Sequence, residues 1–136
     1  MNFFRRLIDR TRRSNLWIRA VIALERGQAA ESVTILKEME RISPLRPHHV
    51  AFLGTAHVIL RDSLKARKEF LKAEQITRES ETPSDRYVNL YARTYLKMID
   101  TNEPVDNIIE EASSIDCSPS LKRWLPLKRL PTMSLG

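Results

Sequence analysis

Apolar residues recur along this chain at three- and four-residue spacing, the period of helices that bury one face. Residues 15–26 read as one such helix, ended by Gly27. Val33, Leu36, Met39 and Ile42 mark a second over 29–42, closed by Pro44 and Pro47. A third is predicted over 48–60 and a fourth over 63–78, with Leu64, Phe70, Ala73 and Ile76 among its apolar positions. The polar segment Glu79–Pro83 reads as a loop. A fifth helix then starts near Ser84, the expected N-cap with Asp85 beside it, and runs to Ile99. After a turn at Asp100–Glu103, Pro104 opens a sixth helix carrying Val105, Ile108, Ile109, Ala112 and Ile115. Short loops of this kind favour antiparallel neighbours.

The composition fits that pattern. Of 136 residues, 42% are hydrophobic and 29% charged, as in a globular domain, and three glycines are too few for the turns of an all-β sandwich or barrel. A single cysteine excludes an internal disulfide framework and a multi-cysteine zinc site. No run reaches the ~18 apolar residues needed to span a bilayer, and no secretory signal is legible. The default setting is therefore the cytoplasm, with a mitochondrial matrix as the alternative. The net charge of +6 hints at an anionic partner, but its distribution changes the picture. Residues 1–13 carry Arg5, Arg6, Arg10, Arg12 and Arg13 against Asp9, a net +4. Residues 117–136 carry Lys122, Arg123, Lys128 and Arg129 with no acid, again +4. The body between them is a net −2. Basic charge is a property of the two ends.

An internal repeat lies inside the body. A shift of 34 residues brings Ala20, Ser32, Leu36 and Met39 onto Gly54, Ala66, Phe70 and Ala73, with Leu53 before the glycine and Pro44 closing the first unit. Small residues let the two helices of a hairpin approach, and the large one fills the space between. A third unit fits with Tyr91, Ala92 and Tyr95 one residue out of register, followed by Val105, Ile109 and Ala112. Met39 is large for its position and Arg19 stands where Leu53 stands in the second unit. This pattern resembles the tetratricopeptide repeat, a helix–turn–helix unit, over about residues 13–118. The resemblance implies an all-α, right-handed solenoid of about three antiparallel helix pairs, over 14–118, flanked by an amphipathic helix at 1–13 and a short capping turn and extended tail at 119–136.

The resemblance further implies an interaction scaffold, without cofactor or metal, that holds a partner peptide or helix in a concave groove. The groove positions are Trp17, Val21 and Leu24 in the first unit, Ala51, Thr55 and Val58 in the second, and Arg86, Asn89, Arg93 and Lys97 in the third. The last four share one helix face and suit an acidic segment or a C-terminal carboxylate. Members of the family that clamp chaperone tails use asparagines in their first two units; these are absent here, so that activity does not carry over.

Both ends offer docking segments. On a helix, Phe3, Phe4, Leu7 and Ile8 share one face while Arg5, Arg6 and their neighbours take the other. Such a segment can cap the first repeat, dock on a partner, act as a targeting sequence or lie on an anionic membrane, where each basic residue contributes about 1 kcal/mol. The C-terminal segment repeats an apolar–basic–proline pattern through Lys122, Arg123, Trp124, Lys128 and Arg129. Trp124 is expected to pack on the third unit. Enzyme signatures are missing: there is no Gly-rich phosphate loop, and His48, His49 and His57 lack acidic or cysteine partners at ligand spacing. Cys117 reads as a small residue ending the sixth helix. The expectation is a non-enzymatic protein-binding adaptor or chaperone-like scaffold; the alternative is an accessory subunit of a membrane-bound or ribonucleoprotein assembly held through its basic ends. Few aromatics accompany those basic ends, which disfavours nucleic acid itself.

Overall fold

The computed structural model describes residues 2–101 and 108–127. It is all-helical, with no strand among the described residues. Among the described residues the helices are α1 (Asn2–Glu25), α2 (Ala29–Ile42), α3 (Pro47–Ile59), α4 (Ser63–Thr77), α5 (Pro83–Thr101), α6 (Ile108–Ser114) and α7 (Pro119–Trp124). They fall into two compact units, residues 1–45 and 46–136.

The first unit is the α1–α2 hairpin. The segment 1–13 is not a separate helix: α1 runs unbroken through it into the predicted first repeat helix. No proline or glycine occurs before Gly27, so nothing in the chain interrupts the helix. Its end is defined by hydrogen bonds. Gly27 sits at φ +76°. Its N–H donates to the Leu24 carbonyl (3.0 Å), and the Gln28 N–H donates to the Ala23 carbonyl (2.8 Å). These two bonds make a Schellman cap, which needs a left-handed residue where Gly27 stands. Leu16, Ala20 and Ala23 of α1 are buried, as are Ser32, Leu36 and Met39 of α2. The Ser32 hydroxyl is satisfied by donating to the Ala20 carbonyl across the hairpin (2.9 Å).

In the second unit α3, α4 and α5 pack in sequence, with α6 against α5. α3 is apolar all round and buried from His49 to Val58. Gly54 allows close approach to α4. A Cβ there would stand 2.9 Å from the Phe70 ring. That ring stacks on Tyr95 at 4.7 Å and sits beside Tyr91. The turn after α3 repeats the cap after α1 at the same 34-residue shift: Arg61 takes φ 60°, its N–H donates to Val58, and the Asp62 N–H donates to His57 (2.9 Å each). Asp62 then caps α4 by accepting from the Lys65 N–H (3.1 Å). The buried stripe of α4 is Ala66, Glu69, Phe70, Ala73 and Thr77, while Leu64 is 82% exposed and Ile76 also faces solvent, contrary to the sequence reading. α5 begins earlier than expected. Thr82, not Ser84, is its cap, accepting from the Asp85 N–H (3.3 Å), because Pro83 fits the first helical position. α7 adds Leu121 to the core and the segment after it adds Leu125 and Leu127, and the Tyr87 hydroxyl donates to the Leu125 carbonyl at 2.6 Å.

The repeat positions are buried in both hairpins: Ala20, Ser32, Leu36 and Met39 in the first, and Gly54, Ala66, Phe70 and Ala73 in the second. Of the third set, Tyr91, Ala92, Tyr95 and Ala112 are buried, and Val105 lies outside the described residues.

Candidate functional site

The second unit holds a cleft of about 510 Å³ between the end of α4, the α4–α5 turn, α5 and α6. Arg78, Arg86, Asn89, Arg93 and Glu111 contribute to its lining. Arg86, Asn89 and Arg93 share a face because three and four residues separate them.

The side chains are tied together from the backbone outward. Thr77 donates to the Ala73 carbonyl (2.8 Å) within α4. The Asn89 amide donates to the Thr77 hydroxyl and to the Glu74 carbonyl, 3.2 Å each, so α5 is fastened to the last turn of α4. The other end of that amide, Oδ1, accepts from Arg93 Nε at 2.7 Å. Asn89 therefore fixes where the Arg93 guanidinium stands. Arg78 forks onto Glu74, with Nε–Oε1 2.9 Å and a second bond to Oε2 of 2.7 Å. The Arg78 hydrogen bond is the main reason the Glu74 carboxyl lies below its ordinary range; its charge and that of Arg93 act the same way, and burial opposes them. Arg78 is thus largely neutralised in place. Arg86 is exposed and has no ion pair among the described residues. Arg93 keeps guanidinium donors beyond the one Asn89 takes. Two guanidiniums remain to bind an anion. Glu81 and Glu111 also border the cleft, but both are exposed and screened by solvent.

The other predicted groove positions are distributed differently. Trp17, Val21 and Leu24 are half-buried on α1 in the first unit. Ala51, Thr55 and Val58 present no open surface: all three are buried, and the Thr55 hydroxyl is bonded to the Tyr91 hydroxyl at 2.8 Å. α3 is enclosed rather than half-exposed, which the small side chains at these positions did not reveal. Lys97 lies on α5, outside the cleft lining. Arg78 is the residue sequence reasoning missed. It directly follows α4, where the chain turns towards α5, and only that turn carries it to the site.

At the ends, Phe3, Phe4, Leu7, Ile8, Arg5 and Arg6 are all exposed. Arg123 is exposed and Lys122 half-buried. Trp124 stacks on His48 of α3, with centroids 5.8 Å apart, so it is engaged within the unit and not held out for a partner. Lys128 and Arg129 lie outside the described residues. Burial, reinforced by Arg46 and opposed by Asp85, pushes the His48 imidazole down to about 4. No group of three or more His, Cys, Asp or Glu residues able to hold a metal occurs among the described residues. No described helix is long and apolar enough to cross a membrane.

Comparison with known protein families, curated proteins and solved structures gave no match.

Proposed function

We propose that this protein is a non-enzymatic adaptor, a stack of tetratricopeptide-like hairpins whose second unit takes an acidic segment or a terminal carboxylate of a protein partner. The observation that carries this reading is the bracing of Arg93 by Asn89 beside Arg86, which has no ion pair among the described residues. A guanidinium already held in place loses less entropy on binding than a free one. A carboxylate bridging the two accepts charge-assisted hydrogen bonds from both; since both guanidiniums are solvent-exposed, each contact contributes about 0.2–1 kcal/mol, and the repulsion from exposed Glu81 and Glu111 is screened in the same way. The repeat part of the reading is supported by the matching small and large positions of the two hairpins and by the matching left-handed caps at Gly27 and Arg61.

The test is fluorescence anisotropy of the full chain with labelled acidic peptides, ending either in a free carboxylate or in an amide. Salt-sensitive binding of acidic peptides is expected, with a loss of about tenfold or more in an Arg86→Glu, Arg93→Glu double variant of unchanged circular dichroism. Preference for the free carboxylate would assign the cleft to chain ends. Equal binding by variant and parent removes the cleft from the proposal.

A further inference from the structure

The continuity of α1 creates a surface larger than the segment 1–13. Phe3 (72% exposed), Phe4 (73%), Leu7 (48%), Ile8 (65%), Ile18 (55%) and Ile22 (40%) all face solvent on this one helix. At about 100° per residue, these six positions occupy an arc of about 140°. Thr11, Ser14 and Asn15 fall within the same arc, so it is free of charge from Phe3 to Ile22. At 1.5 Å per residue it runs for about 29 Å. The buried residues Leu16, Ala20 and Ala23 lie on the opposite side. The helix is therefore already packed on its inner face and presents a second apolar face outward. Monomeric proteins rarely leave a contiguous stripe of this kind uncovered.

Charge decides what covers it. The stripe is bordered on one side by Arg5, Arg12 and Arg19 and on the other by Arg6 and Arg10, while Arg13 lies nearer the inner face and is half-buried. Asp9 is the one acid between residues 2 and 24, and it lies on the inner side of the helix with the buried residues. Arg12 is paired with Glu38 of α2 at 2.8 Å. Arg5, Arg6, Arg10 and Arg19 have no ion pair among the described residues. A second copy laid along the stripe would set arginine flank against arginine flank, which is repulsive. A negatively charged bilayer instead offers hydrocarbon to the stripe and headgroup phosphates to both flanks at once.

We propose that the outer face of α1, from Phe3 to Ile22, is an interfacial docking surface for anionic phospholipid membranes, with the helix lying in the plane of the bilayer. The surface belongs to the first unit and is independent of the Arg86–Arg93 cleft.

The test is co-sedimentation of the full chain with phosphatidylcholine vesicles, with and without about one-third phosphatidylglycerol. Binding is expected to the anionic vesicles alone, and release at high salt. Ile18→Asn with Ile22→Asn is expected to lower partitioning about tenfold, as is Phe4→Ser with Ile8→Ser. Arg5→Gln, Arg10→Gln and Arg19→Gln together should abolish the preference for anionic lipid. Leu64→Ser, at a still more exposed leucine on α4, should change nothing. Circular dichroism verifies that each variant is folded. Undiminished sedimentation of both stripe variants overturns the proposal. So does a dimer, seen by light scattering, that the stripe variants dissociate while vesicles are left unbound.

Discussion

Gly54 shows how one hydrogen atom in place of a methyl group sets the spacing of two helices. An alanine would gain about 1 kcal/mol of helix propensity. It would also press a Cβ to 2.9 Å from a Phe70 ring that is stacked on Tyr95. Overpacking costs of about 1–3 kcal/mol outweigh the gain, so Gly54→Ala is expected to lower stability by about 1 kcal/mol net in urea denaturation. An unchanged midpoint would mean that the ring pair yields. His48 makes a different prediction. Its imidazole is held neutral in the fold, with its titration pushed from 6.5 to about 4. Between those values the unfolded chain takes up a proton that the folded chain refuses. Stability therefore falls as pH drops through the window, by up to about 3 kcal/mol at the bottom of it. Melts at about pH 7 and about pH 4.5 should show a steeper loss for the parent than for His48→Gln. Parallel losses would place the acid sensitivity elsewhere.

The caps of α1 and α3 use the same pair of bonds, but one has a glycine at the left-handed position and the other has Arg61. A side chain costs about 1 kcal/mol in that conformation. Arg61→Gly is thus expected to raise the melting temperature, and Gly27→Ala to lower it, each by about 1 kcal/mol of stability. The helices themselves were largely legible, because proline, glycine and the three- and four-residue periods punctuate the chain. Two errors have local causes. Ser84 fits the N-cap preference, but Pro83 occupies the first helical position, where its missing N–H costs nothing, and this moves the cap to Thr82. The change in charge at 13/14 marks a boundary in composition, but a change in charge does not end a helix. Continuing the same periodicity past residue 13 would have brought Ile18 and Ile22 into line with Phe4 and Ile8.

For the protein as a whole, the division of charge between body and ends was readable from composition, and the small–large repeat marked the positions that are buried. What the sequence concealed was which faces remain open. The resemblance to the tetratricopeptide repeat implies that Ala51, Thr55 and Val58 line a groove, yet α3 is enclosed and the Thr55 hydroxyl is taken by Tyr91. The cleft beside Arg93 depends on a turn that returns Arg78 to α5, and no local pattern encodes that return. The two proposed binding surfaces have different expected salt dependence. Vesicle binding by α1 engages several arginines at once and should fall steeply with ionic strength. Peptide binding at the cleft engages two and should fall gently. Titrating salt in both assays checks this, and coincident curves would argue for a single binding surface.

The engagement of α7 has a consequence for the order in which the chain is completed during synthesis. The α1–α2 hairpin joins residues near in sequence, so its contacts can form soon after residue 45 emerges. The second unit cannot finish so early. Its Tyr87 hydroxyl waits for the Leu125 carbonyl, and the His48 ring waits for Trp124. Until that late segment arrives, Tyr87 of α5 and His48 of α3 lack these partners and Leu121, Leu125 and Leu127 are missing from the core, so that nascent half is the one a holding chaperone would find incomplete.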